Sequence, residues 1–432
     1  MIRRHLVLLA VLSLLAPAVA GAEMAGVTRN RLPNGFTVIV RENNAAPLVA
    51  YSLLVKMGTR NETPETAGIS NMLQLMMVRG TEKMSGEEIA AAADKLGGSI
   101  DAYGDADYSE ITATALSRNW QAMLDIVGDV ALRPTLPDGT LGAVRDFLVR
   151  QIRNRGEKPY DVASDQTRLA LFGPRHPYSW DYIGRSEAVQ RLNRDTLMAW
   201  YRRQYVPSQM VLAVSGDVKS SEVMPAVQRL FGAMPAGKAE APTVPAPPAM
   251  AATREVFKVP GAQAQIFMST LAPALTHPDY PVLKVMSAIL GGGMASRFFS
   301  ELRDQQALAY ATAALYPPRI DTGSWIGLLG TGPDNVAKAE AALKDQLRRI
   351  QNEPASAEEV AVARSYVVGT QQMDRRTNAR QAWYLAAAEL AGLPHDYFDT
   401  YAAAVKKVTP ADVMRVAKQY LGVVRTVIVQ PN

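Results

Sequence analysis

The stretch Gly68-Ile69-Ser70-Asn71-Met72-Leu73-Gln74-Leu75-Met76-Met77-Val78-Arg79-Gly80-Thr81 decides how the rest of the chain is read. Ile69, Met72, Leu73 and Met76 recur at helical spacing, which predicts a core helix over 68–78. Two amides, Asn71 and Gln74, interrupt that helix. Periodicity alone does not say why they stand there.

The segment resembles the active-site helix of pitrilysin/insulinase-like zinc peptidases, which carry H-x-x-E-H at this place. Matched residue by residue, Asn71 stands at the first histidine, Gln74 at the glutamate and Leu75 at the second histidine. The family's third ligand is a glutamate on a later helix, and its position falls on Gln151 within Leu148-Val149-Arg150-Gln151-Ile152. The resemblance implies that the framework is kept and that its chemistry is gone.

A catalytic zinc site needs three protein lone-pair donors and one open position for water. Leu75 has no lone pair, and the neutral amide oxygen of Asn71 suits hard cations better than zinc. Gln74 cannot take a proton near neutral pH, so the base that would activate water is missing. The four histidines, His5, His176, His277 and His395, are scattered along the chain, and none pairs with another at helical ligand spacing. His176-Pro177 and His277-Pro278 are expected at turns, because a residue before proline is biased away from helix. No metal site and no catalytic residue is expected in this chain.

Outward from the helix, the chain echoes itself. Asn193 to Tyr205 reads as a capped helix followed by an apolar strand at 210–215; Thr409-Pro410 opens a second helix ending at Tyr420, followed by a strand at 426–429. Earlier come an apolar strand and a helix in each half, at 49–55 and 68–78, then at 264–269 and 280–290. Pro235, Pro242, Pro245, Pro247 and Pro248 lie among alanines and predict an extended linker at 235–253. The division is therefore an N-terminal domain at 23–234 and a C-terminal domain at 254–432, both of α+β class. Leu96-Gly97-Gly98-Ser99, Phe172-Gly173 with His176-Pro177-Tyr178, and Val214-Ser215-Gly216-Asp217-Val218 extend the resemblance over about residues 28 to 429. It implies two homologous α/β-roll domains, each an antiparallel sheet with helices packed on one side.

The second half carries Gly291-Gly292-Gly293, then Arg303, then Ala307-Leu308-Ala309-Tyr310. This resembles the family's glycine-rich turn and its arginine–tyrosine pair, which helps to hold substrate backbone near zinc. An arginine fork and a tyrosine hydroxyl are suitable donors to peptide carbonyls. Ala307 stands where relatives often have glycine, so a less tight turn is expected. Without the resemblance, Arg303 reads as a solvated charge beside Glu301 and Asp304, and Tyr310 as a half-buried strand aromatic. The glycines lack the lysine of a phosphate loop, and no Gly-x-Ser-x-Gly elbow or cysteine nucleophile is present.

Residues 1–22 read as a cleaved signal peptide: Arg3 and Arg4, a short apolar run from Leu6 to Leu15, then small residues. The run is too short for a stable membrane anchor. The formal charge of +5 falls to +3 without Arg3 and Arg4, and no basic stripe interleaved with aromatics suggests nucleic acid. The resulting expectation is a periplasmic, non-catalytic, substrate-binding subunit of a heteromeric zinc metallopeptidase. Zinc would reside in a homologous partner carrying H-x-x-E-H, and peptide would be the shared substrate. A homodimer that captures peptides uncut and a purely structural homologue are the alternatives.

Overall fold

The computed structural model describes residues 26–394 and 396–432; the signal-like segment at 1–22 and His395 lie outside the described residues. The first half contains β1 (Val27–Arg31), β2 (Thr37–Glu42), β3 (Leu48–Val55), α1 (Ile69–Met77), α2 (Gly86–Lys95), β4 (Ser99–Gly104) and β5 (Ser109–Leu116). It continues through α3 (Trp120–Leu132), α4 (Asp138–Gly156), α5 (Pro159–Phe172), α6 (Ser186–Arg191), α7 (Arg194–Gln204), β6 (Met210–Gly216) and α8 (Ser220–Phe231). Residues 235–252 carry neither helix nor strand.

The second half runs β7 (Thr253–Val259), β8 (Ala264–Ala272), α9 (Tyr280–Gly291), a π-helix at Phe298–Gln305, β9 (Ala311–Leu315) and β10 (Gly323–Thr331). Then come α10 (Val336–Asn352), α11 (Ala357–Asp374), α12 (Asn378–Leu390), α13 (Tyr397–Lys407), α14 (Pro410–Tyr420) and β11 (Arg425–Pro431). No helix among the described residues is long and apolar enough to cross a membrane.

The two sheets share one plan. Their strand orders are β1-β2-β6-β3-β5-β4 and β7-β11-β8-β10-β9, so β7, β11, β8, β10 and β9 take the places of β2, β6, β3, β5 and β4. Each sheet is antiparallel apart from one parallel pair, β2 with β6 and β7 with β11. A parallel pair needs a long crossover, and in both halves the intervening helices provide it.

Local chemistry explains the helix starts. Asn193 accepts from the Thr196 N–H at 2.9 Å to cap α7, and Thr409 accepts from the Asp412 N–H at 3.2 Å to cap α14, with Pro410 at its first turn. Ser85 and Ser356 cap α2 and α11 in the same way.

Each sheet packs its own helices on one face. Val49, Tyr51, Leu53 and Val55 of β3 join Met72, Leu73 and Met76 of α1 in the first core, while β8 and α9 anchor the second. The opposite faces are covered by exchange. Ala382, Leu385, Ala386 and Leu390 of α12 pack on Ile39, Leu54, Val211 and Ala213 of the first sheet. Ala163 of α5, with Val162 and Ala170, packs on Phe267, Val427 and Val429 of the second. Burying each leucine of α12 contributes about 2 kcal/mol. A strand covered on both faces needs apolar residues at successive positions, which is why 49–55 is apolar apart from Ser52, whose buried hydroxyl donates to Glu110 at 2.6 Å.

Candidate functional site

The start of α1 is fixed by a buried carboxylate. Glu62 accepts from the Gly68 and Ser70 N–H groups at 2.8 and 3.0 Å and from Trp180 Nε1 at 3.2 Å. Burial pushes its carboxyl above the usual range, against the pull of these donors. Sequence reading did not single out Glu62. It lies six positions before Gly68, too far for a capping box.

Asn71 and Gln74 are both committed to the protein interior. The Asn71 side-chain oxygen accepts from the Gly104 N–H at 3.2 Å, tying α1 to the end of β4. Gln74 is fully buried and donates through Nε2 to the Tyr205 hydroxyl at 2.7 Å. Burial pushes that phenol well above its ordinary range, so it remains neutral. The Gln74 carbonyl oxygen has no hydrogen-bond partner among the described residues. Leu75 is half-buried against the first core. Gln151 lies exposed on α4, one turn beyond the buried Leu148.

The structure thus makes α1 and α4 neighbours, but no hydrogen bond joins Gln151 to Asn71 or Gln74 among the described residues. A leucine, two neutral amides and an exposed glutamine do not fit zinc. No cluster of three His, Asp or Glu side chains able to hold a metal occurs among the described residues. His176 and His277 sit at turns, each accepting through Nδ1 from the N–H two residues on, at 3.0 and 3.1 Å.

The second cluster lies at the matching place in the other half, where α9 meets the edge strand β9. A Cβ on Gly291 would come within 2.3 Å of the Ala314 amide nitrogen, so only glycine lets the helix end abut the strand. Gly293 has φ +144 and lies against the Tyr366 ring. Met294, next in the chain, is 77% exposed. The π-helix follows, closed by the Gln306 N–H to the Glu301 carbonyl at 3.0 Å.

Ala307 adopts φ +52 and the Leu308 N–H reaches back to Leu302 at 2.8 Å. The expected loosening of this turn is not found: alanine holds the left-handed conformation, at a steric cost of about 1 kcal/mol.

Arg303 is exposed, its guanidinium 4.6 Å from the centre of the Phe299 ring. Its acidic neighbour Glu301 is engaged elsewhere, by Arg349 at 2.5 Å and Gln346 at 2.7 Å. No ion pair involves Arg303 among the described residues. Tyr310 is 63% exposed; its N–H donates to the Gly330 carbonyl at 2.8 Å while its ring stands clear of the core. It is more open than a half-buried strand aromatic.

Two sequence families of one kind match the chain. Residues 37–173 match the insulinase family, peptidase family M16, and residues 191–367 match the peptidase M16 inactive domain. An uncharacterized zinc protease of Bacillus subtilis, YmxG, is 25% identical over 358 residues, covering 82% of this chain and 86% of that protein. One from Streptomyces coelicolor is 25% identical over 402 residues, covering 92% and 87%. Among solved structures, a peptidase M16 inactive domain from Pseudomonas fluorescens superposes with a TM-score of 0.88 at 20% identity, covering 94% of this chain and 98% of that one. A protease from Helicobacter pylori gives 0.87 at 19%, covering 94% and 99%.

Proposed function

Because this chain belongs to the insulinase-like M16 peptidase family, we propose that it is a non-catalytic, peptide-binding subunit working beside a homologue that carries H-x-x-E-H. The observation that carries this reading is the contrast between the two clusters. Asn71 and Gln74 of α1 are closed into the core, with Gln74 bonded to Tyr205, whereas Arg303 and Tyr310 project exposed beside a glycine-rich turn. A π-helix is strained relative to an α-helix and is found disproportionately at functional sites, and Arg303 stands on one.

In this reading Arg303 presents its fork to substrate carbonyl oxygens, with the Phe299 ring limiting its rotamers. Tyr310 adds one hydroxyl donor. Zinc bound in the partner would polarise the scissile carbonyl and activate water; this chain contributes grip and position. The signal-like segment at 1–22 supports a periplasmic site of action.

The test uses the reconstituted pair. Arg303→Ala or Tyr310→Phe should lower peptide cleavage while size-exclusion chromatography shows unchanged assembly. Loss of a donor aimed at the developing oxyanion costs on the order of 10²–10³ in kcat, whereas loss of a binding contact mainly raises KM. Wild-type kinetics from both variants would leave the chain a scaffold.

A further inference from the structure

A cavity of about 430 Å³ lies between the two halves. That is the size of sites that enclose small organic ligands, which favour domain interfaces. Phe172, Tyr178 and Trp180 wall it from the first half, and Tyr316 from the second. Lys284 of α9 also lines it. None of Asn71, Gln74, Arg303 or Tyr310 does, so this site is separate from the clusters above.

Lys284 is the unusual member. Its ammonium donates to the Tyr316 carbonyl oxygen at 3.1 Å and lies 5.9 Å from the Tyr280 ring centre. Both partners are neutral, and no ion pair joins Lys284 to a carboxylate among the described residues. Burial alone holds the amine below the ordinary lysine range. An ammonium in such surroundings lacks the counter-charge that normally offsets its desolvation.

The other wall cations are differently placed. Arg168 is occupied by Asp165 and Asp181. Arg319 donates to the Pro318 carbonyl at 3.2 Å and approaches Asp105 at 3.7 Å, and its guanidinium sits over the Tyr178 ring at 5.6 Å. Asp105 and Asp181 line the same walls as Arg168, Lys284 and Arg319, so the lining charges leave one net positive charge, which matches a singly charged anion better than a doubly charged phosphate.

We infer that this cavity binds an organic carboxylate of single negative charge with an aromatic or apolar body, the carboxylate on Lys284 and the body against Tyr178 and Trp180. A free aromatic acid and the carboxyl end of a peptide share this chemistry.

Isothermal titration of the full chain with N-acetylphenylalanine and with N-acetylphenylalaninamide tests it, because the two probes differ in the carboxylate alone. The acid should bind at least about tenfold more tightly than the amide, the range expected for a charge-assisted hydrogen bond. Lys284→Met should remove that preference and Lys284→Arg should keep it. A hexapeptide ending in phenylalanine, free or amidated, tells the sources apart: preference for its free form assigns the site to peptide ends, and binding of the small acid alone assigns it to free acids. Equal affinity for acid and amide in the wild-type chain, no binding of any probe at millimolar concentration, or an undiminished preference in folded Lys284→Met would overturn the inference.

Discussion

Replacing Gln74 with glutamate puts a carboxyl group at the centre of α1, and the structure sets what that costs. The side chain is fully buried, and among the described residues its one hydrogen-bond partner is the neutral Tyr205 hydroxyl and no cation is paired with it. A carboxylate there would lose its hydration without compensation, so the introduced group stays protonated and its pKa rises. An unfolded glutamate titrates near about 4.3, and each pH unit spent holding a proton costs about 1.4 kcal/mol. Between about pH 4.3 and pH 7 the ceiling is therefore about 3.7 kcal/mol. The sign is fixed: the unfolded chain releases the proton first, so Gln74→Glu loses stability relative to wild type as pH rises. Below about pH 4 the two chains should differ only by the amide's lost hydrogen bond, about 1 kcal/mol. Urea unfolding of both chains at about pH 5 and about pH 7 reads the difference, which should widen by about 2 kcal/mol or more. A gap under about 1 kcal/mol at neutral pH, or one that does not change with pH, would refute the dry, metal-free interior ascribed to this helix.

Other outcomes follow from particular side chains. Ala307→Gly should raise stability by about 0.5–1 kcal/mol in thermal unfolding, because glycine takes the left-handed φ freely; a loss would mean that Ala307 does not hold that conformation. His176 is buried, 2% exposed, and desolvation holds its imidazole down at about 4 against an ordinary 6.5. The unfolded chain takes up that proton first on acidification, so this group's stability is intact above about pH 6.5 and drains away as pH falls towards 4, by up to about 3 kcal/mol. His176→Asn should flatten that part of the pH–stability curve, and an unchanged slope would contradict the assignment.

What was legible in the sequence was local. The helices α1, α7 and α14 follow from apolar periodicity and from the caps Asn193 and Thr409, and the repeated strand–helix order foreshadowed two sheets of one plan. The exchange of α5 and α12 was not legible. Ala382, Leu385 and Ala386 look like an ordinary core face, and nothing local says that their core belongs to the other half. The same limit applies at the sites. The resemblance led to the expectation that α1 carries no metal ligands, but the fate of Gln74 depends on Tyr205, 131 positions away. The π-helix carries no sequence marker, and the left-handed Ala307 was marked only through the resemblance, as a position where relatives often have glycine. Lys284 was not singled out in the sequence, because its surroundings depend on Tyr316, 32 positions away, and on walls from the first half.

The central claim, that this chain adds substrate grip to another subunit's chemistry, is tested most directly by one comparison. Cleavage of a fluorogenic peptide is measured for the chain alone, for a homologue carrying H-x-x-E-H alone, and for their equimolar mixture, each after dialysis and zinc loading. The account predicts no cleavage by this chain and a mixture faster than the homologue alone. Chelator-sensitive cleavage by this chain alone, or a mixture no faster than the homologue, would contradict it.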